Sequence, residues 1–328
     1  MPPSVDERPC IALDDVAFVG QGLVRPECVL ATADGRLHTA DWRGGVATID
    51  RDGSAHLLRG ELPAGRPLRP NGIARTRRGS YLLADLGEAL GGVYELWPDG
   101  RLETIVERVD GIDLPPTNFV AIDARGRIWI TVSTTRVPRA LAYRADVADG
   151  FIVLVDDAGA RIVADGLGYT NEALVSPDGR WLYVNETFAR RLTRFGLHED
   201  GSLGARETVA RFGTGTYPDG LAFDAGGDVW ITSIVSNRVI RVGADGSQTL
   251  ILEDADEAHV QWAEAAYEAG TLGRAHLDKR AGQRLANISS LAFGGAGLRT
   301  AYLGCLLGDA IAVFRSPVAG HPPVHWTW

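Results

Sequence analysis

The sequence predicts an all-β protein: a six-bladed β-propeller with a short helical insertion before the sixth blade. Two observations carry that expectation. One segment recurs six times, and each copy places a polar residue eight positions before a turn glycine. Most copies are followed by a second apolar hairpin, so a unit holds four strands and successive units lie 44 to 53 residues apart. Four strands at that period is the arithmetic of a propeller blade.

The repeated polar residues are Glu27, Asn71, Asn118, Asn171, Asp219 and Asn287, with turns at Gly35, Gly79, Gly126, Gly179, Gly227 and Gly295. The chain has six asparagines and four of them fall in this register, which chance does not arrange. Around each glycine, apolar residues precede the turn and a β-branched or aromatic run follows, as in Ile128-Trp129-Ile130-Thr131-Val132. Short alternating runs flanking such turns signal hairpins. Second hairpins turn at Asp52-Gly53, Asp99-Gly100, Gly159 and Asp245-Gly246. The sixth unit has too little chain after residues 310–314 for a fourth strand. The unclaimed apolar run at 11–19, within about residues 10–20, is expected to close that blade as its outer strand and remove a free edge. Residues 1–328 thus read as one domain.

Two segments leave the blade plan. Residues 254–282 lengthen the fifth interval to 68 residues. Their stretch 258–268 is rich in strong helix formers and reads as a helix serving as a lid or as an interface between copies. Residues 133–150 join the two hairpins of blade three, too long for a tight turn, and carry Arg136 and Arg139.

Composition narrows the function. The chain is 45% apolar, which argues against long disorder, and no apolar run reaches the roughly 18 residues of a membrane span. A net charge of −9 is unsuited to a phosphate backbone. Three unspaced cysteines imply no disulfide framework, and the N-terminus lacks the pattern of a secretory signal. A cytoplasmic protein acting on a small molecule, without nucleic-acid or membrane partners, is the expectation.

In a propeller the first strand of each blade lines the axis, so one register position forms a ring. Here that ring gathers two carboxylates and four amides at one mouth. All are oxygen donors, the preference of a hard cation such as Ca²⁺, and no histidine or cysteine shares the register as zinc would favour. Residues 14 further on return to the same mouth: Asp41, Asp85, Asn185 and Ser233 are candidate supports for the ring, or ordinary polar strand ends.

These residues carry a resemblance. Pro26-Glu27, Asn118, Asn171 with Ser176-Pro177-Asp178-Gly179, and Tyr217-Pro218-Asp219-Gly220 resemble the regucalcin/gluconolactonase family over about residues 10–315. The resemblance implies a propeller with one axial divalent metal, Ca²⁺ first and Zn²⁺, Mn²⁺ or Mg²⁺ as alternatives. Glu27, Asn171 and Asp219 match the family's three metal ligands, and Asn118 matches a fourth position that binds metal or substrate. It further implies a hydrolase opening a lactone or related ester. Asp219, with Glu172 as rival, is the candidate general base. Asn71, Asn118, Phe119, Arg136 and Arg139 are the candidate substrate contacts. The chain departs from the family where Glu172 replaces a common glycine, and where Pro116 and Phe119 replace sugar-contacting residues. A non-catalytic binding propeller and a phosphotriesterase-type hydrolase are the competing readings.

Overall fold

A computed structural model describes residues 9–328. Six four-stranded antiparallel sheets surround one axis, and five of them run from an inner to an outer strand in chain order. Blade one comprises Val29–Ala31, Leu37–Asp41, Gly45–Ile49 and Ala55–Arg59. The inner strands of blades two to six are Pro70–Arg75, Thr117–Ile122, Thr170–Val175, Thr216–Phe223 and Ile288–Gly294. The glycine eight residues after each register position has φ between +66° and +89°, so each turn takes a conformation that glycine supplies without strain.

Blade six closes as the repeat arithmetic requires. Its outer strand is Ala17–Val19, which pairs Phe18 with Ala312 on Ile311–Arg315. The strand is shorter than the apolar run at 11–19. Residues Leu13–Asp15 form a 3-10 turn instead, where Asp14 and Asp15, poor strand formers, interrupt the run. Ile11 N–H bonds the Ile251 carbonyl (2.9 Å), tying the segment to blade five as well.

Apolar side chains fill the six spaces between blades. Leu83, Val120 and Ile130 pack between blades and are fully buried, as are Trp129 between blades three and four and Trp230 between five and six. Each tryptophan N–H is satisfied by the aspartate that opens its own hairpin turn: Trp129 by Asp123 (3.0 Å), Trp230 by Asp224 (3.1 Å). Burying these large rings therefore leaves no indole donor unpaired.

The insertion contains two helices, α1 (Glu257–Glu268) and α2 (Arg274–Leu277). Asp256 caps α1 by accepting from His259 N–H (2.7 Å), and Gly270, at φ +66°, ends it. No helix of the described residues is long and apolar enough to cross a membrane.

Candidate active site

Asn71, Asn118, Asn171 and Asp219 each fall within a break in strand pairing, and Asn287 lies just before one. The inner strands of blades two to six lose register at Pro70/Ile73, Thr117/Phe119, Thr170/Ala173, Pro218/Leu221 and Ile288/Ser290. In blade one, Glu27 lies just before its strand begins. A bulge re-aims side chains, and here it recurs at the axis. The inner strands approach closely there: a Cβ at Gly72 would fall 2.6 Å from Phe119 Cα, and one at Gly220 would fall 2.4 Å from Ser290 Cα. Both glycines directly follow a ring residue.

Five of the six register side chains converge. Asn71 Nδ2 donates to Asn118 Oδ1 (3.2 Å), and Asn118 Nδ2 donates to Asn171 Oδ1 (2.7 Å). Asn171 Nδ2 donates to Thr187 Oγ1 (3.0 Å), which donates to the Pro218 carbonyl (2.8 Å) beside Asp219. Glu27, Asn71, Asn118, Asn171 and Asp219 are all between 2% and 8% exposed. Burial, and then Glu27, push the Asp219 carboxyl well above the usual carboxylate range. Glu172 is likewise driven up, chiefly by burial and further by Asp219 and Glu27, although Leu221 N–H donates to its Oε2 (2.8 Å).

Asn287 does not join them. It has φ +56°, its Oδ1 accepts from Val235 N–H (3.2 Å), and its Nδ2 donates to the Leu277 carbonyl (2.5 Å). Its side chain thus anchors α2 to the propeller. The ring expected from six register residues is a ring of five.

The four residues 14 positions on are fully buried, and each holds the chain entering the ring. Asp41 accepts from Val24 N–H (3.1 Å), Asp85 from Arg69 N–H (2.8 Å) and Ser233 from Tyr217 N–H (2.8 Å). Asn185 donates to the carbonyls of Asp219 (3.0 Å) and Gly220 (2.9 Å). They fix the backbone that presents the ring side chains.

Two arginines reach the ring. Arg139 Nη2 donates to Asn118 Oδ1 (2.9 Å) and Ser133 Oγ (3.1 Å), and its guanidinium lies 5.3 Å from the Tyr169 ring centre. Arg136 instead pairs with Asp149 (3.4 Å) near the surface. Arg25, two residues before Glu27, donates from Nε to Glu27 Oε2 (2.9 Å) and stacks on Trp42. Spacing in the sequence did not single it out, because only blade two repeats it, with Arg69 two residues before Asn71 and also over Trp42 (5.8 Å). Phe119 and Cys28, each following a ring residue, line the channel beyond the ring together with Glu172. Burial raises the Cys28 thiol, so it is a poor nucleophile.

The insertion and the 133–150 loop build the wall around this mouth. Tyr143, Tyr169, Phe188, Tyr217 and Tyr267 form an aromatic ladder with ring centres 4.7 to 5.9 Å apart. Arg190 lies over Tyr217 and Tyr267 and pairs with Glu264 of α1. A cleft of about 570 Å³ along blade six, lined from Phe18 on its outer strand to Ile288 on its inner strand, includes no ring residue.

The donor set suits a hard cation. It comprises two buried carboxylates and three amides, and Asn71 Oδ1 is buried with no hydrogen-bond partner. Among the described residues no three of His, Cys, Asp and Glu converge as a chelating group, so any cation here would depend on amide oxygens.

Fold and site together define a six-bladed propeller with an axial, oxygen-rich polar centre. Residues 61–253 match the SMP-30/gluconolactonase/LRE-like region. A 6-deoxy-6-sulfogluconolactonase from Pseudomonas putida is 33% identical over 227 residues, covering 67% of this chain and 69% of that protein. The chain belongs to the SMP-30/gluconolactonase/LRE-like family. Solved structures share its fold. A gluconolactonase from Xanthomonas campestris aligns with TM-score 0.67 and 20% identity over 92% of this chain and 89% of its own. A calcium-binding regucalcin from Agrobacterium tumefaciens gives TM-score 0.65 and 16% identity over 95% and 98%.

Proposed function

We propose that this protein hydrolyses a lactone at the axial ring, with one divalent cation, Ca²⁺ first, held by Glu27, Asn118, Asn171 and Asp219. The observation that carries the reading is the convergence of two buried carboxylates and buried amide oxygens at one repeated register position. Burial holds the Asp219 carboxyl toward the neutral form, and a cation beside it would favour ionisation. When bound, it would supply Lewis-acid polarisation of the lactone carbonyl.

The chain's own groups do the rest. Asp219 is the better placed general base, because it is a carboxylate of the axial ring itself. Glu172 lines the channel behind the ring, with one oxygen committed to Leu221 N–H. Asn71, with its free oxygen, and Arg139 are the groups to orient substrate. The arginine favours a lactone bearing an acidic group, and the Pseudomonas relative is named for a sulfogluconolactone. Phe119 contributes an apolar surface below the ring, and Arg136 a peripheral charge.

The test is a panel of D-glucono-1,5-lactone, 6-deoxy-6-sulfogluconolactone, non-sugar lactones and a phosphotriester. Each is assayed as prepared, with chelator, and with Ca²⁺, Mg²⁺, Mn²⁺ or Zn²⁺ restored. The expected result is lactone hydrolysis lost to chelator and restored by a divalent ion. Turnover of the phosphotriester alone would move the assignment to that chemistry, and no turnover at all would favour a binding propeller.

A further inference from the structure

The register that defines the ring also defines a collar above it. Two residues before the ring positions stand Arg25, Arg69, Pro116, Tyr169, Tyr217 and Leu285, where the chain enters from the mouth. Over blades four to six this collar is covered. Tyr143 of the 133–150 loop packs edge-on against Tyr169 (5.4 Å), Tyr267 of α1 packs against Tyr217 (5.6 Å), and Leu285 is fully buried. Over blades one and two the middle strands are joined by residues 42–44 and 86–91 alone, and Val24 and Leu90 are exposed there. The side of the mouth left open is thus the side that carries two arginines.

Both guanidinium groups lie over Trp42, Arg25 at 4.3 Å and Arg69 at 5.8 Å from its ring centre. Arg25 has φ +51°, a backbone region that a β-carbon disfavours. Its Nε is bonded to Glu27, but its Nη1 and Nη2 make no hydrogen bond among the described residues, although the side chain is only 11% exposed. The Arg69 side chain bonds Glu88 (3.0 Å), whose carboxylate is 81% exposed. An ion pair so wetted holds its arginine weakly. At the same mouth, Trp42 Nε1 and Arg139 Nε are buried donors without a partner among the described residues. This side has more donors than acceptors, and a ligand that only accepts corrects the balance.

We propose that Arg25 and Arg69, with Arg139 reaching the ring from blade three, form a subsite for an oxyanion at the far end of the substrate: a phosphate, sulfonate or carboxylate. The subsite rests on the lactonase reading for the frame of the substrate and adds where its charge sits. A guanidinium binds such groups through paired N–H···O bonds. Because Arg25 touches ring residue Glu27, an oxyanion on its Nη nitrogens lies one side chain from the ring. The acidic arm then leaves over blades one and two while the ester stays at the axis.

Stable ring-opened acids are the probes, so binding is read without turnover. Gluconate is compared with 6-phosphogluconate, 6-deoxy-6-sulfogluconate and glucarate by calorimetry on the chain supplied with Ca²⁺. The expected result is that at least one 6-anionic acid binds about tenfold or more tighter than gluconate, and which one does so names the oxyanion. That advantage should fall at least about threefold in Arg69→Gln and in Arg25→Gln, each checked for fold by circular dichroism. It should persist in Glu88→Gln, which removes only a competing carboxylate. Equal affinity for all four acids, no binding of any, or an advantage kept in both folded arginine variants would overturn the subsite. Lactone turnover alongside equal affinities would leave the lactonase reading in place and remove the subsite alone. An arginine-dependent preference without turnover of any lactone would keep the subsite and remove that reading alone.

Discussion

Arg136 and Arg139 lie three residues apart on one loop and have different surroundings. Arg139 bonds a ring amide, whereas Arg136 is half-exposed and bonded to Asp149. A charge-assisted hydrogen bond to substrate contributes roughly 1.5–3 kcal/mol, while an exposed ion pair contributes about 0–1 kcal/mol. Arg139→Ala should therefore raise KM for acidic lactones about tenfold and leave neutral lactones much less affected. Arg136→Ala should change either KM by less than about twofold. Steady-state kinetics on matched neutral and acidic lactones checks both. At this scale the sequence was informative where a residue belonged to the repeat. The register located Glu27, Asn71, Asn118, Asn171 and Asp219 because a fixed offset from a glycine turn fixes a position on the strand. It placed Asn287 in the ring too, since an offset specifies the backbone position but not where the side chain turns. Arg25 stayed hidden because only Arg69 repeats it at the same offset, while the other four blades place Pro116, Tyr169, Tyr217 and Leu285 there.

Among the elements, the closing strand Ala17–Val19 is the one on which the ring of blades depends. It covers the edge of Ile311–Arg315, and the preceding Val16 is buried in the core between blades five and six. Removing residues 1–20 would delete this ladder and expose a strand edge. The expected outcome is a loss of about 2–4 kcal/mol, from a few backbone hydrogen bonds of about 1 kcal/mol each and the buried valine, together with aggregation through the bared edge. Urea unfolding and light scattering of the truncated chain would check this. The insertion helix was legible from composition, because alanine and glutamate favour helices locally. Its docking was not: Glu264 pairs with Arg190 and Tyr267 donates to the Phe188 carbonyl, contacts 74 and 79 residues apart. No local pattern encodes such a distance. With those contacts the helix forms part of the mouth wall.

For the molecule as a whole, propeller symmetry turns one modest sequence feature into a site. Bulges at equivalent positions aim four polar side chains at the axis, Glu27 joins them from the loop before its strand, and Asp41, Asp85, Asn185 and Ser233 lock the backbone that carries them. Behind that ring all six inner strands line a chamber of about 450 Å³, and the C-terminal segment spans its far end as a strap. Neither chamber nor strap was legible in the sequence. The residues after 315 carry no blade pattern, and a void arises from the relative placement of six strands rather than from any one of them. The central claim is that the ring binds a single cation through Asp219 and its neighbours. It is tested most directly by titrating chelator-stripped protein with Ca²⁺ in a calorimeter, for the native chain and for Asp219→Asn. The account predicts one site per native chain and affinity weakened at least tenfold in the variant. No Ca²⁺ binding by the native chain, or equal binding by both folded proteins, would contradict it.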